Sequence, residues 1–284
     1  MYIRTYILLL IMSLPSYAQL NVIAKPIKNE FVAHERIGVD VQITNRTGRT
    51  VLLRGIGLDN WLNINVYDKD RKLLPYFGGA PTFKGVQIPV GETVTKRLYL
   101  TDYYDMTRPG KFTFSVNVKL PGNTNESVGS PTKQFNITLA RVIAKQKIGI
   151  PGTATARTYE ILRHNGKEGT YLYAKITNDF TTKVVLCAAI SKVITTYDPQ
   201  VAIDSKNNLH VLYLLSNQIY AQVTLDPTGK LVKATYHKQG AYDQPRLVAF
   251  ANGEVKVAGT IIYDPKAERE KAEKGRKLSD RPNF

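Results

Sequence analysis

The sequence predicts an all-β protein, and three observations lead there. From residue 20 to 140, apolar and polar residues alternate in short runs, the period of strands that bury one face. Clusters of turn formers, Asn45-Arg46-Thr47-Gly48, Asp68 to Arg71 and Pro89-Val90-Gly91-Glu92, separate those runs. No stretch of that region carries a helical period over an ordinary helix length.

Taken in order, the expected strands are residues 20–24, 37–44, 50–53, 61–67, 93–101, 111–119 and 133–139. Seven short strands in about 120 residues is the number found in an immunoglobulin-like sandwich. Three stretches carry the likeness further: Gly38-Val39-Asp40-Val41-Gln42-Ile43-Thr44-Asn45, Ile88-Pro89-Val90-Gly91-Glu92 and Arg108-Pro109-Gly110-Lys111-Phe112-Thr113-Phe114. Residues 19–140 thereby resemble the immunoglobulin-like or fibronectin-like domains of exported bacterial proteins. The resemblance implies an N-terminal β-sandwich used for spacing, docking or ligand binding, and fold alone does not choose among these. Phe112 stands where such domains would place a corner tyrosine, so no tyrosine-corner hydrogen bond is expected.

Residues 141–157, with Gly149-Ile150-Pro151-Gly152, read as a linker. A small second β-rich domain is expected over 158–264. Within it, Pro199-Gln200-Val201-Ala202-Ile203 and Asn208-Leu209-His210-Val211 recur 46 residues later as Pro245-Arg246-Leu247-Val248-Ala249 and Gly253-Glu254-Val255-Lys256-Val257. A fainter copy is Tyr159-Glu160-Ile161-Leu162 followed by Gly169-Thr170-Tyr171-Leu172-Tyr173. The spacing resembles that of β-propeller blades. A closed propeller needs at least about four blades, and this segment holds two to three, so the domain is expected as a meander or a partial, propeller-like sheet. Its clearest element is the hairpin at 223–232, turned by Asp226-Pro227-Thr228-Gly229. The tail, 265–284, alternates Lys, Arg and Glu with alanines and reads as a charged segment, helical or disordered.

Residues 1–18 have the pattern of an export signal. Arg4 precedes an apolar run at 6–14, and Ser16-Tyr17-Ala18 supplies a small-x-small cleavage site. The alternatives are an uncleaved anchor or a buried N-terminal strand. The reading implies an exported protein, in periplasm, on the cell surface or in the medium, whose mature chain has no transmembrane segment. The only cysteine, Cys187, lies far from the cleavage site in an apolar run and is expected to be buried, with no internal disulfide and no lipid attachment.

The formal charge of +16 is spread evenly: Lys and Arg number 16 against 10 Asp and Glu in 19–140, and 15 against 9 in 141–264. An even excess raises attraction to anionic surfaces without giving the stripe expected of specific nucleic-acid recognition. The partners it implies are anionic polymers or membrane surfaces, held weakly.

No catalytic, cofactor or metal motif is present. His34, His164, His210 and His237 are isolated from one another and from Cys187, and no hydrolase or nucleotide-binding glycine pattern occurs. His210, between Leu209 and Val211, is expected on a solvated strand face. Asp68-Lys69-Asp70 opens like a calcium loop but lacks the following glycine and distant glutamate, and reads as a hairpin turn. Trp61 reads as core. The candidate ligand site is Asp102, Tyr103, Tyr104 and Asp105, where tyrosines would stack on a sugar and carboxylates would accept hydroxyls or hold calcium, against the plainer reading that the tyrosines pack the sandwich edge. Asn45, Asn125 and Asn136 each begin an Asn-x-Ser/Thr site. The expected function is that of an exported, non-enzymatic binding or structural protein adhering to anionic or glycan surfaces. Its rival is an accessory or catalytic protein acting on extracellular polysaccharide, which needs two converging carboxylates.

Overall fold

The structure is a computed structural model and describes residues 20–55, 60–77, 81–121, 126–150, 155–240 and 244–279, so the leader expected at 1–18 and the acceptor Asn125 lie outside the described residues. The described residues are all-β apart from one short 3-10 turn and one helix. The chain divides into two compact units, one taking the residues up to Phe31 and Ile37–Ile137, the other Val32–Arg36 and the chain from Thr138 onward.

The first unit is built from β1 (Leu20–Pro26), β2 (Glu30–Val32), β3 (Gly38–Asn45), β4 (Val51–Leu53), β5 (Leu62–Tyr67), β6 (Val86–Ile88), β7 (Thr93–Tyr99), β8 (Gly110–Lys119), β9 (Ser127–Gly129) and β10 (Lys133–Thr138). One sheet has the order β1-β3-β7, a second β2-β10-β8-β5 with β9 on β8, and β4 pairs with β6. Alternation does the sorting. Val39, Val41 and Ile43 of β3, Leu62, Ile64 and Val66 of β5, and Phe112, Phe114, Val116 and Val118 of β8 are all buried, with polar residues between them. Phe135 of β10 ties this core together, edge-on to Phe31 at 5.6 Å and stacked on Phe112 at 5.8 Å. Trp61 is buried as expected, and its indole N–H donates to the carbonyls of Phe83 and Lys84.

A single polar side chain pins the end of β3. Asn45 is fully buried; its Nδ2 donates to the carbonyls of Arg49 (2.8 Å) and Ile88 (2.9 Å), while its Oδ1 accepts from the N–H and hydroxyl of Thr47. An amide with both ends occupied is closed to modification in the folded chain. Asn136, on β10, is exposed.

The second unit holds β11 (Arg141–Gly149), β12 (Ala156–Gly166), β13 (Gly169–Asn178) and β14 (Val184–Lys192), which pair in sequence order as one four-stranded sheet. The linker expected at 141–157 is therefore corrected: most of it is β11 and the start of β12. Gly149 is the last residue of β11, and Ile143, Ala144 and Ile148 pack on the core. The second sheet contains β15 (Gln200–Ile203), β16 (Leu209–Ser216), β17 (Ile219–Leu225), β18 (Leu231–Gln239) and β21 (Thr260–Tyr263), with β19 (Arg246–Ala249) and β20 (Val255–Ala258) as a separate hairpin. The sheets meet through Tyr159, Ile161, Leu172, Ala174 and Ile176 on one side and Leu209, Val211, Tyr213, Ala221, Val223 and Leu225 on the other. Cys187 is buried with Leu162, Tyr173 and Val32, the last residue of β2 and itself part of this unit. Helix α1 (Pro265–Ser279) ends the described chain, begun by the Asp264 carboxylate accepting the Lys266 N–H.

The two copies of the 46-residue sequence repeat share one turn geometry, which residues 68–72 and 226–230 also adopt. In β15–β16 the Asp204 N–H donates to the Asn208 carbonyl and the Asn207 N–H to the Asp204 carbonyl; in β19–β20 the same two bonds join Phe250 with Glu254 and Gly253 with Phe250. The fourth turn residue is left-handed in both, Asn207 at φ 61° and Gly253 at φ 79°. The fainter copy differs, since β12 and β13 close tightly with Gly166 opposite Gly169.

His210 departs from its expected solvated place. Its ring is buried, with Nε2 3.0 Å from Asp204 Oδ2 and Nδ1 3.1 Å from Thr224 Oγ1 and 3.2 Å from Gln222 Nε2. The network continues across β18, where Thr235 Oγ1 donates to Gln222 Oε1 and lies 3.1 Å from His237 Nε2, and Thr260 Oγ1 lies 3.2 Å from His237 Nδ1. Register explains it: His210 faces Thr224 on β17, and Gln222 faces Thr235 on β18, so one polar row crosses the sheet on the face opposite the core.

Two predictions follow from these buried polar groups. Asn45→Ala removes both donors to its carbonyl partners and is expected to destabilise the first unit by about 2–3 kcal/mol, read in urea by the fluorescence of Trp61, the only tryptophan; an unchanged midpoint contradicts the pinning role. Burial, with Lys233 nearby, holds the His237 imidazole below its ordinary 6.5. Below that value the unfolded chain binds more protons, so stability is full above 6.5 and falls on acidification. Lowering the pH from about 7.5 to about 5.5 is expected to reduce the thermal midpoint of the second unit, and His237→Asn to flatten that slope; equal slopes would refute it. Asp204, whose pKa is lowered from 3.8 by His210 and Asn208 against an opposing burial effect, loses its contribution only in more acid solution.

Candidate ligand-binding site

The outward face of the β5–β8–β10 sheet is set by the same alternation that fills the core. Register pairs Asn63 with Asn117, Asn65 with Ser115 and Tyr67 with Thr113, then Gln134 with Thr113 and Asn136 with Lys111. The result is a face of amides and hydroxyls. At one end lies a cup of about 650 Å³ lined by Tyr67, Asp68, Lys69, Arg71, Lys111, Thr113, Ser115, Thr132 and Gln134.

The turn after β5 shapes its rim. Asp68 Oδ1 accepts the N–H groups of Asp70 and Lys72, both at 2.9 Å, as expected of a turn and with its charge spent on backbone. Lys69 pairs with Asp70 at 2.9 Å. Arg71 occupies the left-handed position at φ 62°, a conformation that favours glycine or asparagine. Among the described residues neither the Arg71 guanidinium nor the Lys111 ammonium has a carboxylate partner. Three cations against one carboxylate leave the cup lining with an excess of two positive charges.

On the other side of the turn is a cleft of about 480 Å³ that shares Asp68, Lys69 and Lys111 with the cup. It adds Asp70, Asp105 and Arg108 to an apolar wall that includes Tyr76, Phe77, Pro109 and Phe112. Phe77 is about half exposed, at 53%.

The four residues singled out in the sequence are distributed between structure and site. Tyr104 is buried and its hydroxyl donates to the Ile64 carbonyl at 2.5 Å; Tyr76 donates to the same carbonyl at 2.7 Å, with the two rings 4.8 Å apart. Burial, reinforced by the Tyr76 hydroxyl, pushes the Tyr104 phenol well above its ordinary range. This bond reaches 40 residues back to β5, unlike the local bond of a tyrosine corner. Tyr103 meets Phe83 edge-on at 5.9 Å, and its carbonyl accepts the Phe77 N–H. Asp102 ends the 3-10 turn Leu100–Asp102 and is exposed. Asp105 lines the cleft while accepting the Thr107 hydroxyl at 2.8 Å. The structure thus joins Asp105 to Asp68 and Asp70, and not to Asp102, Tyr103 or Tyr104. The residues of the cup were missed because they are spread over three strands. The one linear trace of it is the amide-rich alternation Asn63-x-Asn65-x-Tyr67.

No group of three or more His, Cys, Asp or Glu side chains suited to a metal occurs among the described residues. No helix among them is long and apolar enough to cross a membrane.

No family model matches the chain, and no curated protein matches it. Among solved structures, the crystal structure of Spo0M, a sporulation control protein from Bacillus subtilis, aligns over 92% of this chain and 96% of that one, at 8% identity and a TM-score of 0.28. A likeness that slight carries no argument about fold or function.

Proposed function

We propose that the chain is an exported, non-enzymatic protein that binds acidic glycan through the first unit, an immunoglobulin-like sandwich in this reading, with the second unit as a propeller-like accessory. The observation that carries it is the cup, in which unpartnered Arg71 and Lys111 stand among Tyr67, Thr113, Ser115, Thr132 and Gln134. Cations answer a sugar carboxylate or sulfate, hydroxyl and amide groups answer its ring hydroxyls, and Tyr67 offers an aromatic surface. The amide face on β5, β8 and β10 gives a polymer further hydrogen bonds along its length. The leader pattern supplies the export part of the proposal, and the evenly basic chain adds weak attraction at long range.

One observation favours the polysaccharide-processing alternative: Asp68, Asp70 and Asp105 line a common cleft. Against it, each carboxylate is already engaged, by backbone N–H groups, by Lys69 and by Thr107 respectively. Release of reducing ends from an acidic glycan, abolished by Asp105→Asn, would favour that alternative.

Titration calorimetry with polygalacturonate tests the binding reading. The chain is expected to bind it, with affinity falling as salt rises, and to bind neutral dextran far less. Arg71→Gly removes a cation while relieving a left-handed backbone position, so binding is expected to weaken about tenfold with the thermal midpoint unchanged or raised. Lys111→Gln is expected to weaken it similarly. Equal affinity for both polymers, or unaltered binding in both variants, would defeat the proposal.

A further inference from the structure

The second unit contains a cavity that the glycan reading does not use. It lies between the two sheets, has a volume of about 350 Å³, and is walled by Leu186, Ala188 and Ile190 of β14 on one side and Tyr213, Val223 and Tyr236 of the facing sheet on the other. That volume falls within the common range of small-molecule sites, about 300–1,000 Å³. Three features mark it as a binding space. Small residues hold it open where a larger side chain would close it: Ala174, Ala188, Ala189 and Ala234 line it together with Gly229. The Gly229 turn approaches closely, since a Cβ there would stand 2.7 Å from the Leu186 side chain. Finally, none of the lining residues is charged, in a chain of formal charge +16, and the polar groups are few: the hydroxyls of Ser191, Tyr213 and Tyr236.

The entrance follows from topology. β14 is the edge of its sheet, and the lining from β18 includes the exposed Leu231, in the stretch of β18 that β21 does not pair, so the cavity opens beside β14. An apolar guest can enter there without separating the core residues Tyr159, Ile161, Leu209 and Val211.

We infer that this cavity binds an uncharged linear amphiphile, an aliphatic chain of about ten carbons with a hydroxyl head that exchanges hydrogen bonds with Tyr213 and Ser191. The apolar walls take the chain out of water. A carboxylate head would be buried with no cation in the lining to answer it, so an alcohol is preferred to the corresponding acid anion.

The test uses the full chain and 1-decanol as the probe, with sodium decanoate at neutral pH as the charged control, in titration calorimetry. Decanol is expected to bind, and decanoate to bind at least about tenfold more weakly. Ala188→Phe fills the cavity from β14 and Ala234→Phe fills it from β18; each is expected to weaken decanol binding at least about tenfold. Both are expected to retain polygalacturonate binding as wild type does, whatever that affinity proves to be. Circular dichroism establishes that each variant is folded. If one fails to fold, the other decides, and Tyr213→Phe, which removes only a hydroxyl, is expected to narrow the preference for decanol over decanoate. Absence of decanol binding by the wild type, equal affinity for the two probes, or undiminished binding by a folded cavity-filled variant would overturn the inference.

Discussion

With one cysteine in 284 residues, the chain has no internal disulfide with which to hold a sheet, so each unit must stay folded by burying alternate side chains. That constraint governs the rest. A strand shifted by one residue would move Phe112, Phe114, Val116 and Val118 into water and bring Lys111, Thr113, Ser115 and Asn117 into the core. The core thus fixes the register, and the register sets which polar groups stand together outside. The cup owes its composition to this: Thr113 stands between Tyr67 and Gln134 because Phe112 and Phe114 face inward.

Turns translate the same constraint into position. Asp68, Asp204 and Asp226 each accept two backbone N–H groups from the residues two and four places on, and each turn has a left-handed residue at its fourth place: Arg71, Asn207 and Gly229. One local device serves different ends. At Arg71 it carries a cation to the rim of a cup; at Gly229 it lets the backbone lie against Leu186 beside a cavity.

The six longer strands of the first unit were legible because alternation over six to ten residues is a pattern, and the short Val51–Leu53 because a clear turn precedes it; so were the hairpin around Asp226 and the turn at Asp68. The strands Glu30–Val32, Val86–Ile88 and Ser127–Gly129 were not, since three residues hold too little alternation to distinguish a strand from a loop. Arg141–Gly149 was hidden by its company: its lysines and the glycines that follow outweigh three inward apolar residues. The site was harder still. His210 looks solvated beside Leu209 and Val211 until Thr224 and Gln222 are placed opposite it, and no linear reading supplies that pairing. Tyr103 and Tyr104, conspicuous as a pair, serve packing, whereas Arg71 and Lys111, 40 positions apart, share one cup.

The order of strands within the sheets has a kinetic meaning. From β11 to β14, and again from β15 to β18, neighbours in space are neighbours in sequence, so each hairpin closes a short loop before the next forms. The first unit differs, because β2 pairs with β10 and β5 with β8, across most of its length. Its sheets carry a high contact order, the property that slows folding. Of the two units, then, it is the one carrying the cup whose assembly waits on distant segments, while its companion can form by local steps.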